Sequence, residues 1–391
     1  MVADFFFGRL PVIHFGVGAA EMTVPLLHKF GNSTLMVTGS SSFIEGESGK
    51  RLMHELASAG MDYDIVTVAG EPVTNKIDEI TARMRKYPPA SVLAVGGGSV
   101  LDAGKAISAM IPVDGVVWDY LEGNPAMRPH PGSKVPFIAV PTTAGTGSEA
   151  TKNAVLSTTG TPVMKRSLRH DNFVPDAAIV DPSLTLTCPP DVTAASGLDA
   201  ITQLLEAYLS VQASPVTDAL ALSGLQRGFA GIRRVFESGY DIDARTDMSY
   251  AALMSGIVLA GAGLGAVHGF ASVLGPLYDI PHGVICGTLL GAVTRTNINK
   301  LKESGSGNRY LEKYVTAGKL ICEGKDMGDD HYLSCLTESI DCLIEDMEMP
   351  KLERFGVDNA GCALVAGKTG IKNNPVGLDR DELEKILLSR L

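Results

Sequence analysis

The 391-residue chain is short of several things, and each shortage excludes something. Acidic residues outnumber basic ones, 44 Asp and Glu against 33 Lys and Arg, for a formal net charge of -11. That balance argues against a general nucleic-acid partner or an anionic membrane surface. The six cysteines (Cys188, Cys286, Cys322, Cys335, Cys342 and Cys362) form no CxxC pair and no framework spacing, so free thiols in a reducing, cytoplasmic compartment are expected. The opening MVADFFFGRLP has neither a basic region nor a long apolar one, so no secretory signal is expected there. Met248 to Tyr278 contains no Asp, Glu, Lys or Arg and is long enough to span a bilayer. Glycines and a histidine interrupt it, however, and closely packed buried helices are the expected outcome. There is no internal repeat and no low-complexity segment.

What is present is a 45% hydrophobic chain, long enough for two cores. Up to about residue 180, short Val-, Ile- and Leu-rich runs alternate with amphipathic stretches. Strands are predicted at 33–37, 64–68, 91–95 and 135–140, and helices at 45–58, 75–86 and 100–110. This rhythm predicts a doubly wound, Rossmann-like parallel sheet covered on both faces. From Asp191 the patterns turn helical: 194–210, 215–236, 246–260, 283–297, 308–322 and 379–391. The expected organisation is an α/β nucleotide-binding domain over residues 1–184 and an all-α metal and substrate domain over residues 185–391.

Three stretches carry chemistry. The strand at 91–95 runs into Gly96-Gly97-Gly98-Ser99 and then a helix. Glycines permit positive φ and close approach of a phosphate, and the helix start offers free N–H groups and a positive dipole end. The run is not a GxGxxG fingerprint, and a tight strand-to-helix turn explains it equally well. Thr142, Thr143 and Thr146 lie in PTTAGTGSEAT, after the strand at 135–140, where small hydroxylated residues suit a polar ligand at a sheet edge. In the helical half, Asp199 and Gln203 stand at i and i+4, on one face of a helix. His268 and His282 follow in glycine-rich apolar surroundings, the second in a tight Pro281-His282-Gly283 corner. A carboxylate and two imidazoles suit zinc or ferrous iron. A buried histidine is more often a satisfied core residue, and Asp199 could equally serve a helix dipole. Glu206, one turn beyond Gln203, could orient a ligand from behind.

Taken together, GGGSVLD at 96–102, PTTAGTGSEAT at 141–151, AIVDPSLTLTCPPDVTAASGLDAITQLLEAY at 178–208 and VHGFASVLGPLYDIPHG at 267–283 resemble the iron-containing (group III) alcohol dehydrogenase family. The resemblance covers nearly the whole chain. It implies a dehydroquinate synthase-like architecture and hydride transfer between NAD(P) and a small alcohol or aldehyde, in a homodimer. It places the pyrophosphate on Gly96, Gly97, Gly98 and Ser99, with Asp102 close by and Thr142, Thr143, Thr146, Thr151 and Lys165 as further cofactor contacts. It places iron or zinc on Asp199, Gln203, His268 and His282, gripped beside the reactive end of the dinucleotide.

Three departures from the family pattern stand out. Gln203 occupies a position that is usually histidine, and its neutral amide is a poorer donor for zinc or iron. Ser272 replaces a second histidine near the nicotinamide, leaving a water chain through its hydroxyl as a candidate proton relay. Gly39 replaces the acidic residue that holds the adenosine ribose, and the hydroxyls of Gly39-Ser40-Ser41-Ser42 favour NADP. With these changes, a metal-independent reductase resembling maleylacetate reductases, or a catalytically impaired nucleotide-binding assembly protein, remain the alternatives.

Overall fold

The computed structural model describes residues 4–158, 164–305, 308–322 and 327–391. In chain order, its α/β part contains β1 (Val12–Phe15), α1 (Thr23–His28), β2 (Ser33–Thr38), α2 (Ser41–Glu45), α3 (Glu47–Ser58) and β3 (Asp62–Thr67). It continues with α4 (Thr74–Met84), β4 (Ser91–Gly96), α5 (Gly98–Met110), β5 (Phe137–Pro141), β6 (Asn153–Ser157), β7 (Lys165–Arg169) and β8 (Ala177–Val180). The helical part contains α6 (Pro190–Leu209), α7 (Pro215–Glu237), α8 (Ile242–Ala262), α9 (Ala266–Tyr278) and α10 (His282–Glu303). α11 (Arg309–Lys319), α12 (Asp329–Asp346), α13 (Asn359–Ala366) and α14 (Arg380–Leu388) complete it.

Contacts divide the chain into two compact units. One comprises Gly8–Thr143 and Gly147–Thr187; the other comprises the residues up to Phe7, Ala144–Thr146 and Cys188–Leu391.

In the α/β unit, six strands pair in the order β1-β8-β5-β4-β2-β3, all parallel, and β6 and β7 form a separate antiparallel pair. Alternation along β2 shows why both faces must be covered. Leu35 and Val37 pack with Ile77, Ile80 and Leu101 of α4 and α5, whereas Met36 packs with Leu27, Leu52 and Leu56 of α1 and α3. β1 and β8 are only four residues each, too short to register as separate runs in the sequence.

Setting β1 aside, the remaining strands form a 2-1-3-4-5 arrangement whose winding reverses between β2 and β4. Ligands of open parallel sheets bind beyond the carboxyl ends of the strands at such a reversal. Gly39 and Ser40 follow β2 there, and Gly96 to Gly98 close β4 beside them, with Thr38 paired to Val95 and Gly96 to Pro141.

In the helical unit, α6, α7 and α8 pack together, and a second core gathers Phe270, Leu274, Ile285, Leu289, Val365 and Ile386 from α9, α10, α13 and α14. Side-chain caps define several starts: Ser214 pairs reciprocally with Thr217 before α7, and Asp379 with Glu382 before α14. The uncharged stretch 248–278 becomes most of α8 and then α9, largely buried, across a 101° bend. Among the described residues no single helix is long and apolar enough to cross a membrane.

Two expectations are corrected. Cys322 and Cys335, thirteen residues apart, form a disulfide because packing of α11 on α12 brings their Cα atoms to 6.2 Å; Cys188, Cys286, Cys342 and Cys362 are free. The glycines after β4 adopt no positive φ: Gly97 has φ -73°, and neither Gly96 nor Gly98 lies in the left-handed region. Space is the reason for glycine there, since a Cβ on Gly96 would stand 2.7 Å from the Val100 side chain of α5.

Candidate active site

Two regions gather the residues singled out by sequence. In the α/β unit, Gly96 ends β4, Gly97 precedes α5 and Gly98 and Ser99 form its first turn, which no side chain caps. The Thr142 amide donates to the Gly96 carbonyl at 3.0 Å, and Thr143 lies against Gly97. Ser40 is exposed just before α2 and makes no capping bond. Thus Ser40, Gly96, Gly97, Gly98, Thr142 and Thr143 share the carboxyl edge of the sheet, and the bare start of α5 offers N–H groups and a positive dipole end to a phosphate.

The remaining sequence candidates are placed differently. Asp102, one turn into α5, accepts from the Ser148 hydroxyl and, at 2.9 Å, from the Val155 amide. Thr151 is buried, and its hydroxyl accepts from Lys105 Nζ at 2.9 Å. Lys165 pairs with Glu71, which also accepts from the Ser157 hydroxyl at 3.0 Å. These three are bound into the frame formed by α5 and the β6–β7 hairpin. Thr146 belongs to the helical unit's cluster, where the neighbouring Gly145 carbonyl accepts from the Ser255 hydroxyl at 3.3 Å.

Sequence reasoning overlooked Lys105. Its ammonium is buried and donates to the Ser148 carbonyl, the Ser148 and Thr151 hydroxyls and the Asn153 carbonyl at 2.8–3.1 Å. Burial lowers its pKa to about 8, partly offset by Asp102 and Glu149. Burial likewise raises the neighbouring Glu149 carboxyl to about 7. The legible signal was one cation in the otherwise apolar AGKAISAM.

The second region lies wholly in the helical unit. α6 carries Asp199 and Gln203 one turn apart; α9 carries His268 in its first turn; α10 begins at His282 and carries Cys286 one turn on. Asp279, at φ 52°, ends α9 in the left-handed conformation, and Pro281 is the N-cap of α10. α10 approaches α6 closely because residue 283 is glycine: a Cβ there would stand 2.6 Å from the Ala195 carbonyl oxygen.

Asp199 Oδ1 lies 3.4 Å from His268 Nε2 and 3.6 Å from His282 Nε2. Cys286 Sγ lies 3.7 Å from each of the same two nitrogens. One donor atom from each of Asp199, His268, His282 and Cys286 falls within 4.8 Å of the others. Gln203 donates its amide to Asp199 Oδ2 at 3.2 Å. Asp199 Oδ1 and Gln203 Oε1 are nevertheless buried without a hydrogen-bond partner. Two orphaned acceptors in one apolar site are costly in isolation, and a cation is what would satisfy them. The donor set therefore fits a divalent metal.

Glu206 fixes the geometry from behind, as its position in the sequence suggested. It accepts from His268 Nδ1 and from the Val267 amide, each at 2.7 Å, so Nε2 is the nitrogen turned toward Asp199. Burial works against the charged His268 imidazolium, but Cys286, Asp199 and Glu206 outweigh it and raise its pKa well above the ordinary value. Burial also opposes the Asp199 carboxylate, yet His282 and His268 hold it below the usual range. For Cys286, burial pushes the thiol up to about 12. Among these residues His282 is the half-exposed one, and it marks the open side. Ser272 donates its hydroxyl back to the Gly269 carbonyl at 2.7 Å, so its proton is engaged within α9.

Cys286 had no place in the sequence-based set. Starting this helix at residue 283, one residue late, put His282 outside it and hid its i, i+4 relation to the cysteine.

Known proteins resemble this chain over most of its length. Residues 11–182 match the model for iron-containing alcohol dehydrogenase, and residues 193–391 match the C-terminal model of the same family. The chain is 33% identical over 383 residues to long-chain-alcohol dehydrogenase 1 of Geobacillus thermodenitrificans, covering 97% of this chain and 91% of that protein. The crystal structure of a 1,3-propanediol oxidoreductase superposes with a TM-score of 0.89 at 29% identity, covering 100% of both chains. That of sulfoacetaldehyde reductase from Bifidobacterium kashiwanohense, in complex with NAD+, does so with 0.85 at 25% identity, covering 99% of both. A six-stranded parallel sheet with a bare glycine turn, a helical unit with a carboxylate–imidazole cluster and these matches make one assignment: the chain belongs to the iron-containing alcohol dehydrogenase family.

Proposed function

We propose that the protein is an NAD(P)-dependent alcohol dehydrogenase or aldehyde reductase that uses a divalent cation, on a small alcohol or its aldehyde. The observation that carries this is the buried, unpartnered Oδ1 of Asp199 facing the Nε2 atoms of His268 and His282. Asp199, His268 and His282 would hold the cation, with Gln203 as a fourth candidate. When bound, the cation supplies Lewis acidity toward a substrate oxygen, and the nicotinamide supplies or accepts hydride.

The chain's own groups prepare both. Glu206 keeps His268 Nε2 directed at the site, and the Gln203 amide holds Asp199 by its other oxygen. Gly96 to Ser99 offer the main-chain amides of the α5 start to a pyrophosphate, and Thr142 and Thr143 border it. Gly39 at the winding reversal leaves the ribose position without a carboxylate, and Ser40 after it offers a hydroxyl, which supports NADP over NAD. Asp102, Thr146, Thr151 and Lys165 complete the family's contact set; in this chain Asp102 and Thr151 act by holding the frame beneath the turn. Homodimeric assembly and a cytoplasmic location complete the reading.

The test is oxidation of NADPH and NADH with a panel of short aldehydes, after exhaustive chelation and after readdition of ferrous or zinc ions. Turnover is expected only with metal and at higher kcat/KM with NADPH. His268→Ala is expected to abolish turnover and metal content together. Undiminished rates after chelation would reject the metal role, and cofactor binding without turnover on any carbonyl would favour a binding protein.

A further inference from the structure

We propose that Cys286 is the fourth metal donor, taking the role vacated by histidine at position 203, so that the site is an Asp-His-His-Cys set that selects zinc over iron. This rests on the cation reading above and specifies it.

Geometry is the first support. A tetrahedral zinc with N or O donors at about 2.0 Å and S at about 2.3 Å requires donor–donor edges of about 3.3 to 3.6 Å. Four of the six edges among Asp199 Oδ1, His268 Nε2, His282 Nε2 and Cys286 Sγ are 3.4, 3.6, 3.7 and 3.7 Å, and the other two lie within 4.8 Å. Closure of the donors onto a common centre completes the tetrahedron. Cys286 is fully buried, and its sulfur faces the edges of both imidazoles. It rides one turn after His282 on the same face of α10, so the helix itself sets the spacing of two donors.

Charge is the second support. A carboxylate, a thiolate and two neutral imidazoles neutralise a divalent cation within its own donor set. On coordination the thiol proton leaves to solvent and no redox change occurs. A soft thiolate among imidazoles favours zinc over the ferrous ion. Gln203 donates its amide N–H to Asp199 Oδ2 and so positions the carboxylate, while its Oε1 keeps no hydrogen-bond partner.

The experiment loads the chelator-stripped, full-length protein with one equivalent of zinc and records zinc-edge X-ray absorption. The wild type is expected to show one sulfur at about 2.3 Å beside nitrogen and oxygen at about 2.0 Å. Cys286→Ser is expected to lose the sulfur shell and about 100-fold in zinc affinity, the upper end of what even indirect ligand partners cost. Gln203→Ala is expected to keep the sulfur shell. Cobalt loading gives a second readout in the unaltered protein: a thiolate-to-cobalt band in the near ultraviolet. A wild-type spectrum with nitrogen and oxygen alone overturns the proposal while leaving a metal site in place. Zinc that does not bind at all overturns it together with the cation reading.

Discussion

Two buried polar clusters, one in each unit, are built to opposite ends. Around Lys105, an ammonium meets four acceptors at 2.8–3.1 Å, with Asp102 close by, and its hydrogen-bonding capacity is filled. Around Asp199, two buried acceptors have no hydrogen-bond partner, and four donor atoms face one another. The first cluster is closed and joins α5 to the hairpin that follows it. The second is open and asks for a cation. Burial alone does not separate them, for Lys105 and Asp199 are each 1% exposed. Satisfaction does: a filled network specifies structure, and an unfilled one marks a binding site.

Breaking the closed cluster should have the largest effect. Lys105→Ala leaves the Ser148, Thr151 and Asn153 acceptors unpaired and is expected to cost about 3 to 5 kcal/mol of unfolding free energy, read by urea titration. A loss under 1 kcal/mol would show that the network contributes little. Next comes Glu149, whose carboxyl titrates near 7 in the folded chain against an ordinary 4.5. The folded state therefore holds this proton more tightly, so stability falls as pH rises from 4.5 to 7, by about 3 kcal/mol from this group. Glu149→Gln should flatten that slope, measured as unfolding free energy across the window; an unchanged slope would assign the dependence elsewhere. The smallest effect sharpens the contrast from the open side. Zinc at 100 times its Kd should slow amide exchange in α6 and α10 by the equivalent of about 2.7 kcal/mol, with α5 amides unchanged. Equal protection at α5 would erase the distinction between the clusters.

Much of this was legible in the chain. Apolar runs marked β2, β4 and β5, and the loss of strand patterns after residue 185 marked the helical half, because these signals are local. Asp199, His268 and His282 were legible as types, and the structure brings them together. Lys105 was not, because its partners lie 43 to 48 residues away in the β6–β7 region. Cys286 was missed for a narrower reason, a helix start read one residue late that left His282 in the corner before α10. The glycine turn was found, but at Gly96 the requirement is clearance from the Val100 side chain rather than a left-handed backbone.

Glu206 receives both the Val267 amide and the His268 ring through one carboxylate. The imidazole therefore cannot swing aside without fraying the start of α9. A cation arriving at or leaving this centre finds the ring already aimed, and exchange of one ion for another need not rebuild the pocket. Selectivity is thereby left to the donors themselves, while the orientation of the site is inherited from the helix.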